Sequence, residues 1–293
     1  MLEHFPAQHQ GLGLHGQPGS AAPAELRVLA VVRDRASDPA GQTEQSLLWP
    51  VCDCLQRLGH TVLVLDASQT ETPDAPGLAQ LLQQSVWQAR TGLHPEPQRH
   101  SVAVLPAHLG LDLLAAQARQ AGTSAMDWLQ RHVRGYAILV VYADADILAR
   151  TLVNEDVRPL MALPDSGPRV QDSYRQIKQL ALQAGLQCVL ARVLQTPQDE
   201  GVACYDWRRK QSSVRSRAED AARGQAQIDA LLQCAQRHLG QAPALLTVRT
   251  HHAPDLQRLA LHMLNHAGSV LPHGGQTLAA GFTPLPAYPV WSH

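Results

Sequence analysis

Lysine is nearly absent from this chain: of its 24 Lys and Arg residues, only Lys178 and Lys210 are lysines. A phosphate-cradling P-loop needs Gly-Lys-Ser/Thr, because its lysine carries positive charge to the β- and γ-phosphates. Lys178 follows Ile177 and Lys210 follows Arg209, so neither can serve and an orthodox Walker A site is excluded. Cysteine is sparse as well. Cys52, Cys54, Cys188, Cys204 and Cys234 are an odd number without a C-x-x-C pair, which speaks for free thiols in a reducing compartment and against a disulfide frame. Long apolar runs are missing: Ala137–Ala143, among the most apolar stretches, falls far short of the ~20 residues of a membrane span. The first residues lack the basic start and apolar run of a signal peptide, so a cytoplasmic location is expected. Excess charge of one sign is missing too. The 24 Lys and Arg against 25 Asp and Glu leave a formal net charge of -1. That argues against bulk electrostatic binding to nucleic acid or acidic lipid, and leaves local patches open.

What is present is a 293-residue soluble composition, 45% hydrophobic, in which apolar runs alternate with helical patterns. Strands are expected at Leu26–Val32, Thr61–Leu65, Ser101–Leu105, Tyr136–Tyr142, Gln187–Val193 and Ala244–Val248, with a weaker one at Val157–Leu163, where Pro159 breaks the ladder. Helices are expected at Glu44–Leu58, Leu78–Ala89, Leu111–Arg131 with a break at Gly122, Val170–Ala184, within Val214–Leu239, and at Pro254–Ala267. Continuous apolar strands separated by helices indicate a doubly wound, mostly parallel α/β sheet with helices on both faces. Met1–Ala24, rich in Gly, Pro, Gln and His, reads as a flexible arm, residues 25–267 as one α/β domain, and Gly268–His293 as a Gly/Pro-rich tail.

In such a sheet, ligands bind beyond the carboxyl ends of the strands. The first loop there, Arg33–Thr43 (RDRASDPAGQT), has the length and position of a phosphate loop, with Gly41-Gln42-Thr43 where Gly-Lys-Thr would stand. Backbone N–H groups at the following helix start favour an anion. Against this, Pro39 removes one donor, and Asp34 and Asp38 place negative charge beside any phosphate.

Leu26–Val32, SDPAGQT, the helix after it and HTVLVLDAS together resemble the opening of the MinD/ParA superfamily of deviant Walker ATPases, closest to the flagellar-number regulator branch FlhG (FleN). Laid on that family's K-G-G-V-G-K-T, the signature lysine falls at Ser37 and the Walker lysine at Gln42. The paired glycines fall at Asp38 and Pro39, while Gly41 and Thr43 match. LVLDAS resembles V-L-D-A-D, keeping Asp66 and placing Ser68 at the second aspartate. GYAILVVYADAD puts Tyr142 at the Walker B aspartate. VQDSYRQIKQL resembles the branch's T-D-A-Y-x-L-I-K, matching Asp172, Tyr174, Ile177 and Lys178. CVLARV resembles V-V-N-R-V, with Ala191 at the base-facing asparagine and Arg192 retained. DALLQCAQRHLG resembles the branch's helix ending R-x-F/H-L-G.

Under the resemblance, the charged groups for triphosphate, magnesium and base are lost together while apolar strand and helix positions remain. It implies a P-loop NTPase-like fold of the MinD type and a degenerate nucleotide loop at Gly41, Gln42, Thr43 and Asp66. It also implies a pseudo-ATPase with no cofactor. Asp66 and Thr43 cannot supply phosphoryl-charge stabilisation without a lysine and metal. Implied partners are the FlhF GTPase, flagellar switch components or a flagellar transcription activator, and the family's homodimer. Two other readings stand beside it. One is a divergent ATPase binding ATP with Mg2+, in which a dimer partner or an arginine replaces the lysines. The other is an unrelated doubly wound small-molecule binder.

The remaining motifs are weaker. Gly11–Gly16 spells G-x-G-x-x-G without a strand before it, and reads as composition. Gln8–Leu12 matches only Gln, Gly and Leu of the branch's activating segment D-Q-A-x-G-L-R. His262 and His266, spaced i,i+4, with His251 and His252 upstream, have no nearby carboxylate or cysteine to complete a metal set, and read as packing or surface residues. Arg208, Arg209, Lys210, Arg215, Arg217 and Arg223, beside Tyr205 and Trp207, read either as a solvated face or as a contact surface for an acidic partner or DNA. Tyr174, Asp172 and Lys178 are further contact candidates by resemblance. The tail holds no Lys or Arg, so the family's basic C-terminal membrane helix is not expected there.

Overall fold

Alternate residues of the first strand feed two separate cores. In β1 (Leu26–Arg33), Val28, Ala30 and Val32 belong to one buried cluster, Leu29 and Val31 to the other. That alternation is what a strand covered on both faces requires. The computed structural model describes residues 25–33, 42–83, 102–130, 132–133, 135–164, 170–194 and 207–270. After β1 come α1 (Gln42–Arg57), β2 (Val62–Asp66), α2 (Leu78–Gln83), β3 (Ala103–Pro106), α3 (His108–Ala121), α4 (Ala125–Gln130) and β4 (Ile138–Asp144). Then follow α5 (Ala145–Thr151), β5 (Leu160–Pro164), α6 (Val170–Ala184), β6 (Val189–Leu194), α7 (Trp207–Leu239), β7 (Ala244–Arg249), α8 (Ala253–Asn265) and β8 (Gly268–Val270).

The sheet order is β3-β2-β4-β1-β5-β6-β7, parallel throughout, with β8 added antiparallel to β1. Helices α1 and α8 cover one face through Leu47, Val51, Leu55, Leu259 and Met263. Helices α2 to α7 cover the other through residues such as Leu78, Leu111, Met126, Leu148, Ile177 and Ile228. The expected doubly wound α/β sheet with helices on both faces is therefore the observed fold.

Local chemistry explains most boundaries. Helix α3 ends at Gly122, whose φ of 63° is the left-handed region that glycine enters without Cβ strain, so the expected break falls where the sequence placed it. The start of α3 has no cap from its own N-cap residue, Ala107. Glu71, 5% exposed, supplies one from the loop after β2, accepting the N–H groups of Leu109 (2.8 Å) and Gly110 (2.7 Å). Its negative charge there also complements the helix dipole.

Four expectations shift. The strand read as Tyr136–Tyr142 runs from Ile138 to Asp144, because Thr61 takes the N–H groups of Ala137 and Ile138 at the sheet's lower edge. Pro159 stands just ahead of β5, where its carbonyl accepts the Val189 N–H at 2.9 Å, so it breaks no ladder bond within the strand. Helix α5 was not foreseen; it follows β4 without a loop. Gly268–Val270, expected to open the tail, instead forms β8. It fills the gap beside the lower half of β1, which pairs β5 only at Val31 and Val32. The helix expected over Leu78–Ala89 is described as far as Gln83. The N-terminal arm, with its Gly-rich motif, and the tail from Leu271 lie outside the described residues.

Candidate functional site

Neighbouring strands β1 and β4 send their following helices to opposite faces: α1 packs on one core, α5 on the other. In open α/β sheets such a divergence marks the ligand-binding crevice, at the carboxyl ends of the two strands. The residues around it come from three strands and one helix. Arg33 ends β1 and pairs in register with Asp144 at the end of β4. Asp66 ends β2 and pairs in register with Tyr142. Glu44 lies in the first turn of α1.

All three carboxylates are buried, Glu44 and Asp66 to 4% exposure and Asp144 to 8%. Arg33 Nε lies 3.8 Å from Asp144 Oδ1. Asp66 turns inward: its Oδ1 accepts the Ser68 N–H at 2.8 Å and its Oδ2 the Gln69 side-chain amide at 3.0 Å. Tyr142 is 2% exposed among them. Its phenol is pushed up to about 12, first by burial and then by Glu44; Arg33 pulls it down, and Asp66 and Asp144 raise it further. It is therefore a neutral hydroxyl at any ordinary pH, where the resembled family carries a carboxylate.

Of the expected nucleotide-loop residues, Gly41 and the Ser37–Ala40 stretch lie outside the described residues. Gln42 opens α1, and Thr43 in the same turn is half-buried, its carbonyl accepting the Ser46 hydroxyl at 2.7 Å. The described part of the crevice thus sets three acids and one guanidinium around a neutral phenol. A triphosphate in water already carries several negative charges, and stabilising its transfer requires cations aimed at its oxygens. Among the described residues around Tyr142, the acids outnumber the cation.

The segment after β4 is also held in place. Ala145, Ile147, Leu148, Ala149 and Thr151 of α5 are buried. On its outer side, Arg150 bridges Asp112 of α3 and Asp146, each at 2.8 Å.

The sequence-derived contact residues separate into different settings. On α6, Ser173 and Ile177 enter the core, and Tyr174 is half-buried with its ring centroid 6.0 Å from that of His238 on α7. Asp172 pairs with Arg175 at 3.4 Å, and Lys178 is exposed. Arg192 does not reach the crevice: it donates to Gln225 Oε1 at 2.5 Å and to the Ala221 carbonyl at 3.4 Å on α7. Arg208, Arg209 and Lys210 lie on the first turns of α7, so the basic stretch begins on helix.

Sequence reasoning missed Glu44 and Asp144. The signal for Glu44 was its spacing: with Leu47, Leu48 and Val51 it makes an i, i+3, i+4, i+7 set, the buried stripe of a helix. Asp144 stands two residues beyond Tyr142 and therefore on the same side of β4.

Elsewhere, His262 and His266 pack ring to ring at 4.6 Å. His252 Nδ1 lies 3.2 Å from Asp255, which also accepts Arg249 Nε at 2.7 Å. Among the described residues no group of three or more His, Cys, Asp or Glu is placed to hold a metal ion. Burial pushes the thiols of Cys52 and Cys188 up to about 12, with Asp53 adding to the rise at Cys52, so both are poor nucleophiles. Among the described residues no helix is long and apolar enough to cross a membrane.

No protein-family model matches the chain, and no curated protein matches it in sequence. Among solved structures, it is similar to the MinD cell division protein of Aquifex aeolicus at 12% identity, over 81% of this chain and 87% of that one, with a TM-score of 0.35. The same protein in a MinC:MinD complex matches at 12% identity, 81% and 86% coverage and a TM-score of 0.35. HypB from Helicobacter pylori in complex with nickel is similar at 10% identity, over 82% of this chain and 86% of that one, with a TM-score of 0.38.

Proposed function

We propose that this chain is a non-catalytic regulatory protein, a pseudo-ATPase of FlhG-like character that controls flagellar number or placement through protein contacts. The observation that carries the first half is the charge of the crevice: Glu44, Asp66 and Asp144 surround Tyr142, and Arg33 is paired to Asp144. No lysine lies in the loop or at the strand ends. The flagellar half rests on the resemblance of VQDSYRQIK to the FlhG motif. On this reading no cofactor is needed, and the sheet serves to hold its outer helices in fixed relation. The contact residues are Asp172, Tyr174 and Lys178 on α6 and Arg208, Arg209 and Lys210 on α7. The partner is a protein of the flagellar placement system such as the FlhF GTPase, and a homodimer is the self-association that fits the resemblance.

One observation favours the alternative of a divergent ATPase using ATP with Mg2+: Asp144 places a carboxylate at the end of β4, beside an arginine. Phosphate release from Mg-ATP by the full chain separates the two. The pseudo-ATPase reading expects the rate of buffer alone; turnover that falls on Asp66→Asn would establish the alternative. Pull-down of purified FlhF by the full chain, compared with a Tyr174→Ala/Lys178→Ala variant, tests the partner. Capture that weakens in the variant supports the contact face, and equal capture by both removes α6 from it.

A further inference from the structure

The sheet carries a second recess at the end opposite the crevice. There α6 and α7 finish, turn at Gly185 and Gly240 with φ of 72° and 75°, and lead into β6 and β7. Between the two turns, at the amino end of β6, lies a cavity of about 320 Å3. Ile177 and Ala181, one turn apart on α6, line it on one side, and Leu239 at the end of α7 on the other. Leu186 and Cys188 lie before β6, and Arg158 lies just ahead of β5.

Arg158 alone is charged among the described residues of that lining. The Cys188 thiol, pushed up to about 12 by burial, stays neutral and offers the guanidinium no counter-charge. The main chain at Arg158 is fixed on both sides. Its N–H donates to the His266 carbonyl at 3.2 Å, and the Pro159 carbonyl next to it accepts the Val189 N–H at 2.9 Å. Its side chain is half-buried and, among the described residues, makes neither a hydrogen bond nor an ion pair. Arg33, Arg150, Arg175, Arg249 and Arg258, in contrast, each lie within ion-pair distance of a carboxylate. A guanidinium keeps its charge at any ordinary pH and presents a planar fork that fits a carboxylate with two parallel bonds.

We propose that this cavity binds a small amphipathic carboxylate, with its head on Arg158 and its apolar body between Ile177, Ala181 and Leu239. The volume is at the low end of the ~300–1,000 Å3 of ligand pockets. At about 30 Å3 per water in the liquid, it holds roughly ten waters' worth of matter, close to the bulk of an eight-carbon fatty acid. One cation between apolar walls suits a monoanion. A phosphate ester, with more charge to balance, would call for further cations that this lining does not hold. The inference is independent of the crevice and of the partner-contact residues.

The test is isothermal titration calorimetry of the full chain with octanoate at millimolar concentration, beside butyrate and 1-octanol. Octanoate is expected to bind saturably at one site per chain. Butyrate, lacking four methylenes, is expected to bind about a hundredfold more weakly. Arg158→Gln is expected to weaken octanoate about ten- to a hundredfold and to leave octanol unchanged, which a general loosening of the fold would not do. Ala181→Leu fills the space and weakens both ligands. Arg175→Gln, on the same helix and outside the lining, keeps wild-type affinity. Far-UV circular dichroism confirms that each variant is folded; should Arg158→Gln fail to fold, Ala181→Leu and the comparison of octanoate with octanol decide. Absence of saturable octanoate binding, octanol binding as tightly as octanoate, or wild-type affinity in folded Arg158→Gln or Ala181→Leu would overturn the proposal. So would an equal loss in Arg175→Gln.

Discussion

Arg33 and Asp144 face each other across the β1–β4 register, with Nε 3.8 Å from Oδ1, at the point where the two strands send their helices to opposite faces. The arginine side chain is 28% exposed. Arg33→Met removes its pairing with Asp144. A fully buried pair broken in this way loses 3–5 kcal/mol; with the arginine partly hydrated, the expected loss is about 1–2 kcal/mol. Urea midpoints of wild type and variant read it directly. Equal midpoints would show that Asp144 is balanced from elsewhere.

Placing an aspartate at Tyr142 gives the sharper result. The site is 2% exposed and faces Glu44, Asp66 and Asp144. Tyr142→Asp removes a ring and adds a fourth buried acid, with an expected loss of about 3–5 kcal/mol. Tyr142→Phe, which keeps the ring, is expected to lose no more than about 1.5 kcal/mol. If the aspartate variant is the more stable in urea, the neutral phenol is not what the crevice has adapted to.

At the other end of β1, Gly268 sits where a Cβ would lie 2.5 Å from Cγ2 of Val157. Gly268→Ala therefore pushes β8 away from the start of β5, at an expected cost of about 1–3 kcal/mol. Adding Val157→Ala removes the obstructing methyl groups. A double-mutant cycle by thermal unfolding is expected to show favourable coupling between the two changes. Simple additivity would mean that the wedge between β1 and β5 tolerates a side chain.

These two regions differ in how far the sequence discloses them. The order of the parallel strands and most helices is legible because both faces of the sheet are covered, so those strands read as apolar runs and those helices as amphipathic ones; α5, seven residues long and buried at five of them, did not stand out. Val170–Ala184 was legible to the residue. Strand β8 was not, because Gly268-Ser269-Val270 lacks an apolar run and gains its place only by filling the space beside Leu26–Val28. In the crevice, the missing lysines could be read directly, since absence from the chain needs no geometry. The buried acids could not. Glu44 becomes a buried charge only when α1 packs its stripe onto the sheet, and Asp144 meets Arg33 only through the β1–β4 register.

Protonation acts on the far edge, at Asp255 in the first turn of α8, which is bound to Arg249 at the end of β7. The hydrogen bond from Arg249 is the main reason its carboxyl lies well below the ordinary 3.8; burial opposes the shift, and further Arg249 contacts and His252 assist it. A depressed carboxyl stabilises the fold fully above its unfolded pKa and loses that contribution as pH falls through the native one. The gap in urea midpoint between wild type and Asp255→Asn is thus expected to be constant from pH 7 to about 5 and to narrow below about 4. A gap that widened with acid would reverse the assigned sign.

The central claim is that the crevice no longer takes a nucleotide, and the most direct test is thermal unfolding of the full chain in rising concentrations of ATP with Mg2+. A ligand bound only by the native state stabilises it by RT ln(1 + [L]/Kd), or about 2.7 kcal/mol at a hundredfold excess over Kd. For a domain of this size that is a rise of roughly 5–10 °C. The three buried acids and the absent lysines predict a Tm that does not depend on Mg-ATP at millimolar concentration. A Tm that climbs with the logarithm of Mg-ATP, and ceases to climb in Asp66→Asn, would contradict the account.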